Sequence, residues 1–346
     1  MQSQVSGIDY SRMRFRFLAV ITLALSAAAN SGFAQTTEYE ITNFAGTANG
    51  LGSTDGIRSA AKFYAPAGVW GDSTFLYIAD GGNHTIRRIV IATGQVTTLT
   101  GAPGPVGSVD GAATVARFSL VEGLWGDGTY LYVSDLGNRT IRKVEISSGA
   151  VTTLAGSPGA QDLVDGAGGA ARFIAPGALW GDGTNLYVGD TSADARVIRR
   201  VTIATGQVTT IANLTAIPNA SSLLGIWGDG TNLWIADPAA DAIRKVVLAT
   251  GQVTTFAGSP LESGAADGSA TAARFSGPSG IWGDGANLFV ADSDNGTIRQ
   301  VSLATGDTTT IAGLAGESGA ADGIGPAARF DGPFAMWGSG ATLYVT

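Results

Sequence analysis

Residues 125–144 read WGDGTYLYVSDLGNRTIRKV, and this stretch decides the fold. It contains two short runs rich in β-branched and aromatic residues, Leu131–Asp135 and Thr140–Val144, with the loop residues LGNR between them. Ahead of the first run stands Asp127-Gly128, which is typical of a hairpin turn because glycine accepts a positive φ there. The stretch therefore predicts successive antiparallel β-strands bounded by turns.

The same unit recurs along the chain, and its landmark is Trp-Gly-Asp, which becomes Trp-Gly-Ser in the last copy. The landmark tryptophans are Trp70, Trp125, Trp180, Trp227, Trp282 and Trp337. They are 55 residues apart, except that 47 residues separate Trp180 from Trp227. Each unit contains a strand that ends at the tryptophan, the two runs above and a fourth run such as Val151–Gly156. Four antiparallel strands per repeat, with no helical periodicity, predict the blades of an all-β propeller.

The two ends of the chain bear on the number of blades. Residues 39–46 match a fourth strand without three preceding strands, and the last unit stops at Thr346 after its second strand. We expect the N-terminal strand to join the last unit, which closes the ring at six blades and buries both faces of every sheet. The last blade then lacks its third strand, so we interpret the chain as truncated at its C-terminus. Further repeats beyond Thr346 would raise the number of blades.

The first residues have the pattern of a secretory signal peptide. Three arginines at positions 12, 14 and 16 precede the apolar run Phe17–Ala29, and Gly32–Ala34 offers the small residues that signal peptidase recognises. We therefore expect cleavage before Gln35 and export to the periplasm, the cell surface or the medium, with Met13 as an alternative start. An uncleaved N-terminal anchor is the other interpretation. The predicted domains are a signal peptide at 1–34 and a propeller at 35–346.

Composition narrows the range of functions. The chain has no cysteine, which excludes disulfides, zinc–thiolate sites and thiol catalysis. Its formal net charge is −8, and removing the leader's three arginines and Asp9 changes this to −10. This acidic balance argues against nucleic acids and anionic membranes as partners. It is compatible with calcium, although no motif indicates calcium, and we expect no cofactor. After leader cleavage we expect a monomer without a membrane span.

The loop between the second and third strands carries a recognisable signature. Asp80–Arg87 reads DGGNHTIR and resembles the signature of NHL repeats, and later copies have Arg139 or Gly296 in place of the histidine. The linkers with Asp-Gly and Ala-Arg-Phe ahead of each tryptophan resemble those of bacterial NHL-repeat proteins. The resemblance covers about residues 38–346 and implies a propeller. It does not imply one activity, since the family includes protein-binding and RNA-binding modules, and related six-bladed folds include gluconolactonase-like enzymes and peptide-amidating lyases.

Charged residues that recur in every repeat are interpreted as structural, because an active site is built only once around the axis. The aspartates that end the second strands are expected to accept backbone N–H bonds in their own turns. They are Asp80, Asp135, Asp190, Asp237 and Asp292. Each long linker also places a basic residue seven positions after an Asp-Gly aspartate, as in Asp110 and Arg117. We expect each such pair to clamp its own linker, with a phenylalanine such as Phe118 anchored between blades.

Enzymatic sites find little support among the remaining residues. His84 is the single histidine, so a zinc site built from several histidines is excluded. A Ser-His-Asp triad would have to use His84, which lies in a blade loop where the next repeat has Arg139. A gluconolactonase-like calcium site needs carboxylates and an asparagine at the axis, whereas nearly all acidic residues occupy repeat positions. We therefore predict no catalytic residue and no metal site.

The best functional candidates are the positions that break the repeat. Glu122 precedes a tryptophan strand where the other repeats have no charged residue, and we expect it near the mouth of the central channel. The interval from the fourth strand to the tryptophan is 24 residues in five repeats but 14 before Trp227, which leaves the uncharged linker Leu214–Leu224. The preceding repeat carries a two-residue insertion within Thr191–Arg196. The candidate ligand-binding residues are Glu122, Asp194, Arg196, Asn219, Ser221 and His84.

The shortened linker and the insertion would form a notch beside the fourth blade if they share one face, and ligands prefer such concave surfaces. We therefore expect a non-enzymatic secreted scaffold that recognises an extracellular or envelope protein, a peptide or a glycan, because loops vary freely on a rigid ring. The alternatives are a gluconolactonase-like metal-dependent hydrolase or lyase, and a structural component of the cell envelope.

Overall fold

The computed structural model describes residues 18–24, 38–48, 50–192, 195–214 and 223–346. These residues form antiparallel sheets, and the fold is an all-β propeller with four main strands per blade, as the sequence predicts, and a two-residue linker strand at the edge of three sheets. Single-turn 3₁₀ helices lie in the loops and linkers, at Arg58–Ala60, Gly81–Asn83, Leu136–Asn138, Gly168–Ala170, Ala270–Ala272 and Gly325–Ala327. None of the helices in these ranges is long and apolar enough to span a bilayer.

The strands are labelled in chain order and group into six sheets. Sheet 1 contains β3 (Gly56–Ile57), β4 (Pro66–Gly71), β5 (Phe75–Asp80), β6 (Thr85–Val90) and β7 (Gln95–Gly101). Sheet 2 contains β8 (Val121–Gly126), β9 (Tyr130–Asp135), β10 (Thr140–Glu145) and β11 (Val151–Gly156). Sheet 3 contains β12 (Gly166–Ala167), β13 (Pro176–Gly181), β14 (Asn185–Thr191), β15 (Arg196–Thr202) and β16 (Gln207–Asn213). Sheet 4 contains β17 (Gly225–Gly228), β18 (Asn232–Asp237), β19 (Ala242–Val247) and β20 (Val253–Ala257). Sheet 5 contains β21 (Pro278–Gly283), β22 (Asn287–Asp292), β23 (Thr297–Ser302) and β24 (Thr308–Ala312). Sheet 6 contains β1 (Leu18–Ala24), β2 (Glu38–Ala45), β25 (Gly323–Ile324), β26 (Met336–Ser339) and β27 (Thr342–Val345).

The main strands of sheets 1 to 5 form successive hairpins whose register repeats from sheet to sheet. In sheet 2, Trp125 of β8 pairs with Tyr132 of β9, which pairs with Lys143 of β10. The pairing between the third and fourth strands shifts directly before the third-strand arginine, as between Ile141 and Arg142. Sheets 1, 3, 4 and 5 have the same irregularity. A bulge of this kind re-aims a side chain, and here it accompanies an arginine that turns into the protein.

The hydrophobic core is divided among the interfaces between adjacent sheets. Between sheets 1 and 2, Tyr77 and Ile86 of one sheet meet Leu131 and Val133 of the other, and all four are fully buried. Phe118 of the intervening linker is buried in the same cluster, so the predicted phenylalanine anchor is confirmed. Because a sheet buries each face only against a neighbour, the blades are stable as a stack rather than singly.

The Trp-Gly pair of each first strand explains how neighbouring sheets meet near the axis. Each indole lies on the glycine that follows the next tryptophan, so that a Cβ built on Gly126 would be 2.8 Å from the ring of Trp70. The pairs are Trp70 on Gly126, Trp125 on Gly181, Trp180 on Gly228, Trp227 on Gly283, Trp282 on Gly338 and Trp337 on Gly71. The first strands contact one another in the order β4, β8, β13, β17, β21 and β26, and β26 contacts β4.

Sheet 6 brings the two ends of the chain together and corrects one expectation. β2 shares a sheet with β26 and β27, in the position of a fourth strand. The third position, which the sequence leaves vacant, holds the backbone of β1, and β1 pairs with both β2 and β27. The physical reason is that an extended segment satisfies backbone groups that those two strands would otherwise leave unpaired. β1 belongs to the apolar run of the expected leader, and the signal peptide at 1–34 stays a prediction.

The linkers cover the outer edges of five sheets. In each case, the glycine after the linker aspartate pairs with the fourth strand of the sheet that follows the linker, as Gly111 pairs with Val151 in sheet 2. The equivalent pairs are Gly56 with Val96, Gly166 with Val208, Gly268 with Thr308 and Gly323 with Ile41. Such pairing protects an edge strand. Among the residues that the structure describes, none pairs with the outer edge of β20 in sheet 4.

Candidate functional site

The aspartate that ends each second strand is buried and joins a linker to its sheet. In sheet 2, Asp135 Oδ1 accepts the backbone N–H of Ser119 at 2.8 Å, and Oδ2 accepts from Asn138 Nδ2 at 2.7 Å and from Arg142 Nη1 at 2.6 Å. The expectation that these carboxylates bind backbone N–H groups of their own turns is therefore wrong. The N–H donor lies in the preceding linker because the linker folds back over the end of the second strand.

The third-strand arginine is the centre of this network. Arg142 is fully buried, and besides Asp135 it binds the linker aspartate Asp110 at 2.6 Å and lies over the ring of Phe118. The predicted pair between Asp110 and Arg117 is therefore wrong. The Arg117 guanidinium instead donates to three carbonyl oxygens of the turn before it. The same two-carboxylate arrangement occurs at Arg87 with Asp80 and Asp55, at Arg199 with Asp190 and Asp165, and at Arg299 with Asp292 and Asp267.

These buried carboxylates have perturbed pKa values for a structural reason. Burial raises the pKa of Asp80, Asp135 and Asp292 to about 6, although hydrogen bonds from asparagine, arginine and backbone N–H donors oppose it. Burial likewise raises the pKa of Asp190. A raised carboxyl pKa in an open cleft indicates a functional site. Here the groups are enclosed and bonded in the same way in several sheets, so the shifts mark a repeated structural network.

Sheet 4 builds its network differently because its linker is short. Asp237 is fully buried and accepts from Arg244 Nε at 3.2 Å and from Arg196, which reaches it from the start of β15 in sheet 3. Arg196 was predicted to bind a ligand, and the structure corrects this interpretation. Its side chain is fully buried and bound to Asp237 of the neighbouring sheet.

The other candidates from the insertion and the short linker, Asp194, Asn219 and Ser221, lie outside the described residues. The described ends of the short linker, Leu214 and Leu223, are buried in the core cluster between sheets 3 and 4.

His84 has a structural contact between sheets. It ends a 3₁₀ turn in the left-handed region at φ 59°. Its Nδ1 accepts the backbone N–H of Leu120 at 2.9 Å, which joins the loop of sheet 1 to the linker of sheet 2. Asp241 Oδ1 accepts the N–H of Gly277 at 2.9 Å in the equivalent place between sheets 4 and 5. Burial lowers the pKa of His84, which fits its use as a neutral acceptor.

Residues of the first strands line a channel, and its walls are layered. One layer consists of the six tryptophans that contact the glycines. The next layer is aliphatic, with Val69, Leu124, Leu179, Ile226, Ile281 and Met336. The third layer contains only small residues, with Gly68, Gly123, Ala178, Gly225, Gly280 and Ala335. The residues that directly precede this third layer in the sequence form the last layer, which we call the channel mouth. There, Glu122, Leu224 and Phe334 line the channel from sheets 2, 4 and 6.

The channel mouth is where the repeat loses its symmetry. The equivalent residues of sheets 1, 3 and 5 are Ala67, Gly177 and Ser279, none of them charged. Among the described residues that line the channel, Glu122 is the one with an ionisable side chain. A Cβ built on Gly177 would lie 3.3 Å from Glu122 Oε1, so the carboxylate extends over the small residue of the next sheet.

Ser134, which the sequence analysis did not single out, holds the backbone beside Glu122 and the backbone of the next sheet. Ser134 Oγ accepts the N–H of Gly123 at 2.6 Å and donates to the carbonyl oxygen of Gly177 at 2.6 Å. Other sheets have alanine or glycine before the second-strand aspartate, so this serine was visible in the sequence as a departure from the repeat.

The structure does not bring the sequence-predicted residues into one site. Glu122 lines the channel, whereas Arg196 and His84 make the contacts between sheets described above. In the parts of the chain that the structure describes, no three His, Cys, Asp or Glu residues are grouped so that they could hold a metal ion.

Comparisons with known proteins agree with the fold. No protein-family model matches the chain. NHL repeat-containing protein 2 of Bos taurus is 28% identical over 277 residues, which is 76% of this chain but 34% of that relative's length. A solved protein of unknown function from Bacteroides thetaiotaomicron has a TM-score of 0.65 and 17% identity, with 94% of this chain and 90% of that chain covered. An auxiliary nutrient binding protein from Bacteroides ovatus has a TM-score of 0.63 and 14% identity, with 96% and 77% covered. The repeat signature, the blades and the similarity to NHL repeat-containing protein 2 together support an NHL-repeat β-propeller.

Proposed function

We propose that the chain is an exported propeller of six blades that binds a protein, peptide or glycan ligand and catalyses no reaction on it. The observation that carries this proposal is the channel mouth, where Glu122, Leu224 and Phe334 replace the small residues of alternate sheets. Variable side chains on a rigid repeated ring are how propellers acquire binding specificity. The name of the Bacteroides ovatus protein, auxiliary nutrient binding protein, supports a binding role for this fold.

Six blades and closure of the ring are supported by contacts between the first and last sheets. β26 contacts β4, and the indole of Trp337 lies on Gly71. Thr346 Oγ1 also donates to the carbonyl oxygen of Ala67 at 2.8 Å. A closed ring leaves no blade with an unstacked face, which removes exposed apolar surface.

The absence of catalysis is proposed because the recurring charged residues have structural partners. The buried aspartates bind arginines, asparagines and linker N–H groups, and His84 Nδ1 is occupied by the N–H of Leu120. A catalytic base needs access to a substrate, and enclosed carboxylates do not provide it.

Ligand arrays test the binding function directly. The labelled full chain is applied to peptide and glycan arrays beside a variant with Glu122→Gln, Leu224→Ala and Phe334→Ala. A matched control carries Val106→Ala and Val109→Ala on an exposed linker. We expect array ligands that bind the wild type and the control but not the mouth variant. Equal binding of all three proteins, or no ligand on any array, would contradict recognition at the mouth.

The hydrolase or lyase alternative makes a different prediction. A metal-dependent propeller enzyme gains stability from its ion by mass action, about 2.7 kcal/mol when the free ion is at a hundred times its Kd. We expect millimolar Ca²⁺ or Zn²⁺ to leave the melting temperature unchanged after correction for ionic strength. A specific rise with either ion would favour the enzyme, and a protein that binds no ligand but fractionates with the envelope would favour a structural component.

Export is proposed from the leader pattern and is tested by the N-terminus of the protein in its cells. Cleavage before Gln35 would remove β1, because β1 spans Leu18–Ala24. We expect N-terminal sequencing of the periplasmic or extracellular protein to begin at Gln35. Recovery of the protein with Leu18–Ala24 still attached would mean that β1 is retained as a strand of sheet 6.

A further inference from the structure

Among the residues that the structure describes, none pairs with the outer edge of sheet 4, whereas the linkers of the five other sheets supply an aspartate and a paired glycine at that place. We propose that the edge of sheet 4 binds, in trans, an extended peptide segment of a partner protein that contains Asp-Gly. The aspartate would occupy the carboxylate position beside Arg244 and Thr255, and the glycine would pair with Val253 of β20. This site is separate from the channel mouth, and the proposal does not depend on ligand binding there.

Sheets 1, 2, 3 and 5 show what the site recognises. In sheet 2, the carboxylate of Asp110 accepts the N–H of Thr153 at 2.9 Å and its hydroxyl at 3.1 Å, and it binds Arg142. The next residue, Gly111, then pairs with Val151 at the sheet edge. Sheets 1, 3 and 5 use Thr98, Thr210 and Thr310 in the same way. A carboxylate and an extended backbone are therefore recognised together, by one arginine, one threonine and one strand edge.

Sheet 4 retains the receiving residues but not the carboxylate. Thr255 is the equivalent of Thr153, and its hydroxyl here accepts a hydrogen bond from Arg244. The short linker cannot supply the missing group, because residues 214–224 contain no aspartate or glutamate. In sheets 1, 2, 3 and 5, the equivalent arginine binds a second carboxylate from the linker, whereas the carboxylate bound to Arg244 is that of Asp237. Positive charge without the usual second anion favours an acidic ligand.

The edge residue of β20 is less buried than the equivalent residues of the sheets whose edges are covered by a linker. The residue that pairs with the linker glycine is fully or almost fully buried in the covered sheets, as Val96, Val151 and Val208 are. Val253 occupies the same position in β20 and is only partly buried. The four equivalent arginines have fully buried side chains, whereas the Arg244 side chain is 7% exposed. The edge and the arginine are thus both more accessible in sheet 4.

The chain's own linkers provide the probe. The acetylated and amidated peptide ESGAADGSATAARF has the sequence of residues 262–275, the linker that carries Asp267 and Gly268. Its binding to the full chain is measured by calorimetry or by ligand-observed NMR. A second peptide has asparagine in place of the aspartate. We expect the first peptide to bind and the second to bind roughly tenfold more weakly, because a hydrogen-bonded charge pair is lost.

Two protein variants place the binding at sheet 4. Thr255→Val removes the hydroxyl that would bind the carboxylate and keeps the β-branched shape, and we expect it to weaken the peptide roughly fivefold. Thr254→Val is the matched control, because Thr254 is exposed on the same strand, and we expect no change in affinity. In a third variant, residues 259–278 replace residues 214–223. This graft supplies Asp-Gly in cis, and we expect it to abolish binding of the free peptide, since a tethered segment has a high effective concentration.

The outcomes separate this proposal from the proposed function. No binding of the aspartate peptide at millimolar concentration, equal binding of the asparagine peptide, or full binding by the grafted variant would each overturn the edge site. The mouth variant with Glu122→Gln should bind the peptide as the wild type does. If that variant loses its array ligands while peptide binding persists, both sites are supported. If no array ligand binds the wild type, or if the mouth variant binds the same array ligands as the wild type, while the peptide still binds, only recognition at the mouth is rejected.

Discussion

The glycine after each channel tryptophan is required by a neighbour that is distant in sequence. The indole of Trp70 packs on Gly126, and the indole of Trp125 packs on Gly181. A Cβ built on either glycine would lie within 3 Å of the indole ring. The sequence showed the repeated Trp-Gly pair but gave the glycine no role, because the contact joins residues of different repeats. The spacing of a repeat predicts which residues are equivalent. It does not predict which equivalent residues touch.

A methyl group at this position should disturb the packing of the indole. We expect Gly126→Ala to lower the free energy of unfolding by about 1–3 kcal/mol, since an added carbon in a packed contact forces a shift of the ring. Urea unfolding followed by tryptophan fluorescence measures the change. Gly169→Ala is the matched control, because no atom lies closer than 4.0 Å to the Cβ position and its φ is not positive. Equal effects of both substitutions would contradict the indole contact.

The hydrogen bond from Leu120 to His84 should make stability depend on pH. Folding favours the neutral imidazole, since burial lowers its pKa below the ordinary value of 6.5 and Nδ1 must be unprotonated to accept. The stability from this contact is complete above pH 6.5 and is lost as the pH falls from 6.5 towards the folded pKa. His84→Asn keeps an acceptor and tolerates the positive φ. We expect its melting temperature to fall less than that of the wild type between pH 7.5 and 5.5, and parallel curves would contradict the prediction.

At the scale of strands and linkers, sequence reasoning identified the right residues and paired some of them wrongly. The Asp-Gly segment, the linker arginine and the phenylalanine anchor were all recognised as parts of the linker. Asp110 was assigned to Arg117, seven residues away, whereas it binds Arg142, thirty-two residues away. The linker lies back across the sheet that follows it, so the third strand is nearer in space than the rest of the linker. The bulge before Arg142 turns its side chain towards that linker.

Sheet 4 shows a compensation that only the three-dimensional structure reveals. Without the usual linker, its buried Asp237 receives a second arginine, Arg196, from sheet 3. We expect Arg196→Met to lower the free energy of unfolding by about 2–3 kcal/mol, because a buried carboxylate loses a charged donor while Arg244 remains. Arg200→Met on the same strand is the control, since Arg200 is exposed, and it should change stability by less than about 0.5 kcal/mol. Chemical denaturation distinguishes the two, and equal losses would contradict the buried pair.

At the scale of the molecule, repeats predicted the propeller and the location of its asymmetry. The sequence placed Glu122 before a tryptophan strand and recognised the short linker ahead of sheet 4. It did not reveal that Leu224 and Phe334 join Glu122 at the mouth, because they come from sheets that are not consecutive along the chain. Nor did it predict β1 in sheet 6, because an apolar run beside a basic segment has the pattern of a leader whether or not it can also pair as a strand.

Closure of the ring can be measured as a coupling between the first and last sheets. A Cβ on Gly71 would lie 2.9 Å from the indole of Trp337, and also close to Leu76 and Phe75 of its own sheet. Gly71→Ala should therefore be destabilising alone, and Trp337→Ala should relieve part of that cost in a closed ring. We expect the double-mutant cycle in urea to give a coupling of about 0.5–3 kcal/mol, as for contacting residues.

Two further double-mutant cycles provide references for this coupling, one between consecutive sheets and one between residues that do not touch. Gly126→Ala with Trp70→Ala should show a coupling of the same sign and similar size, because those residues meet between consecutive sheets. Gly126→Ala with Trp337→Ala joins residues that do not touch, and their effects should add within about 0.5 kcal/mol. In an open arc, the Gly71 and Trp337 substitutions would also add, since sheets 1 and 6 would be exposed to solvent. A coupling across this interface equal to the internal one would mean that the last sheet supports the first as firmly as any other neighbour does.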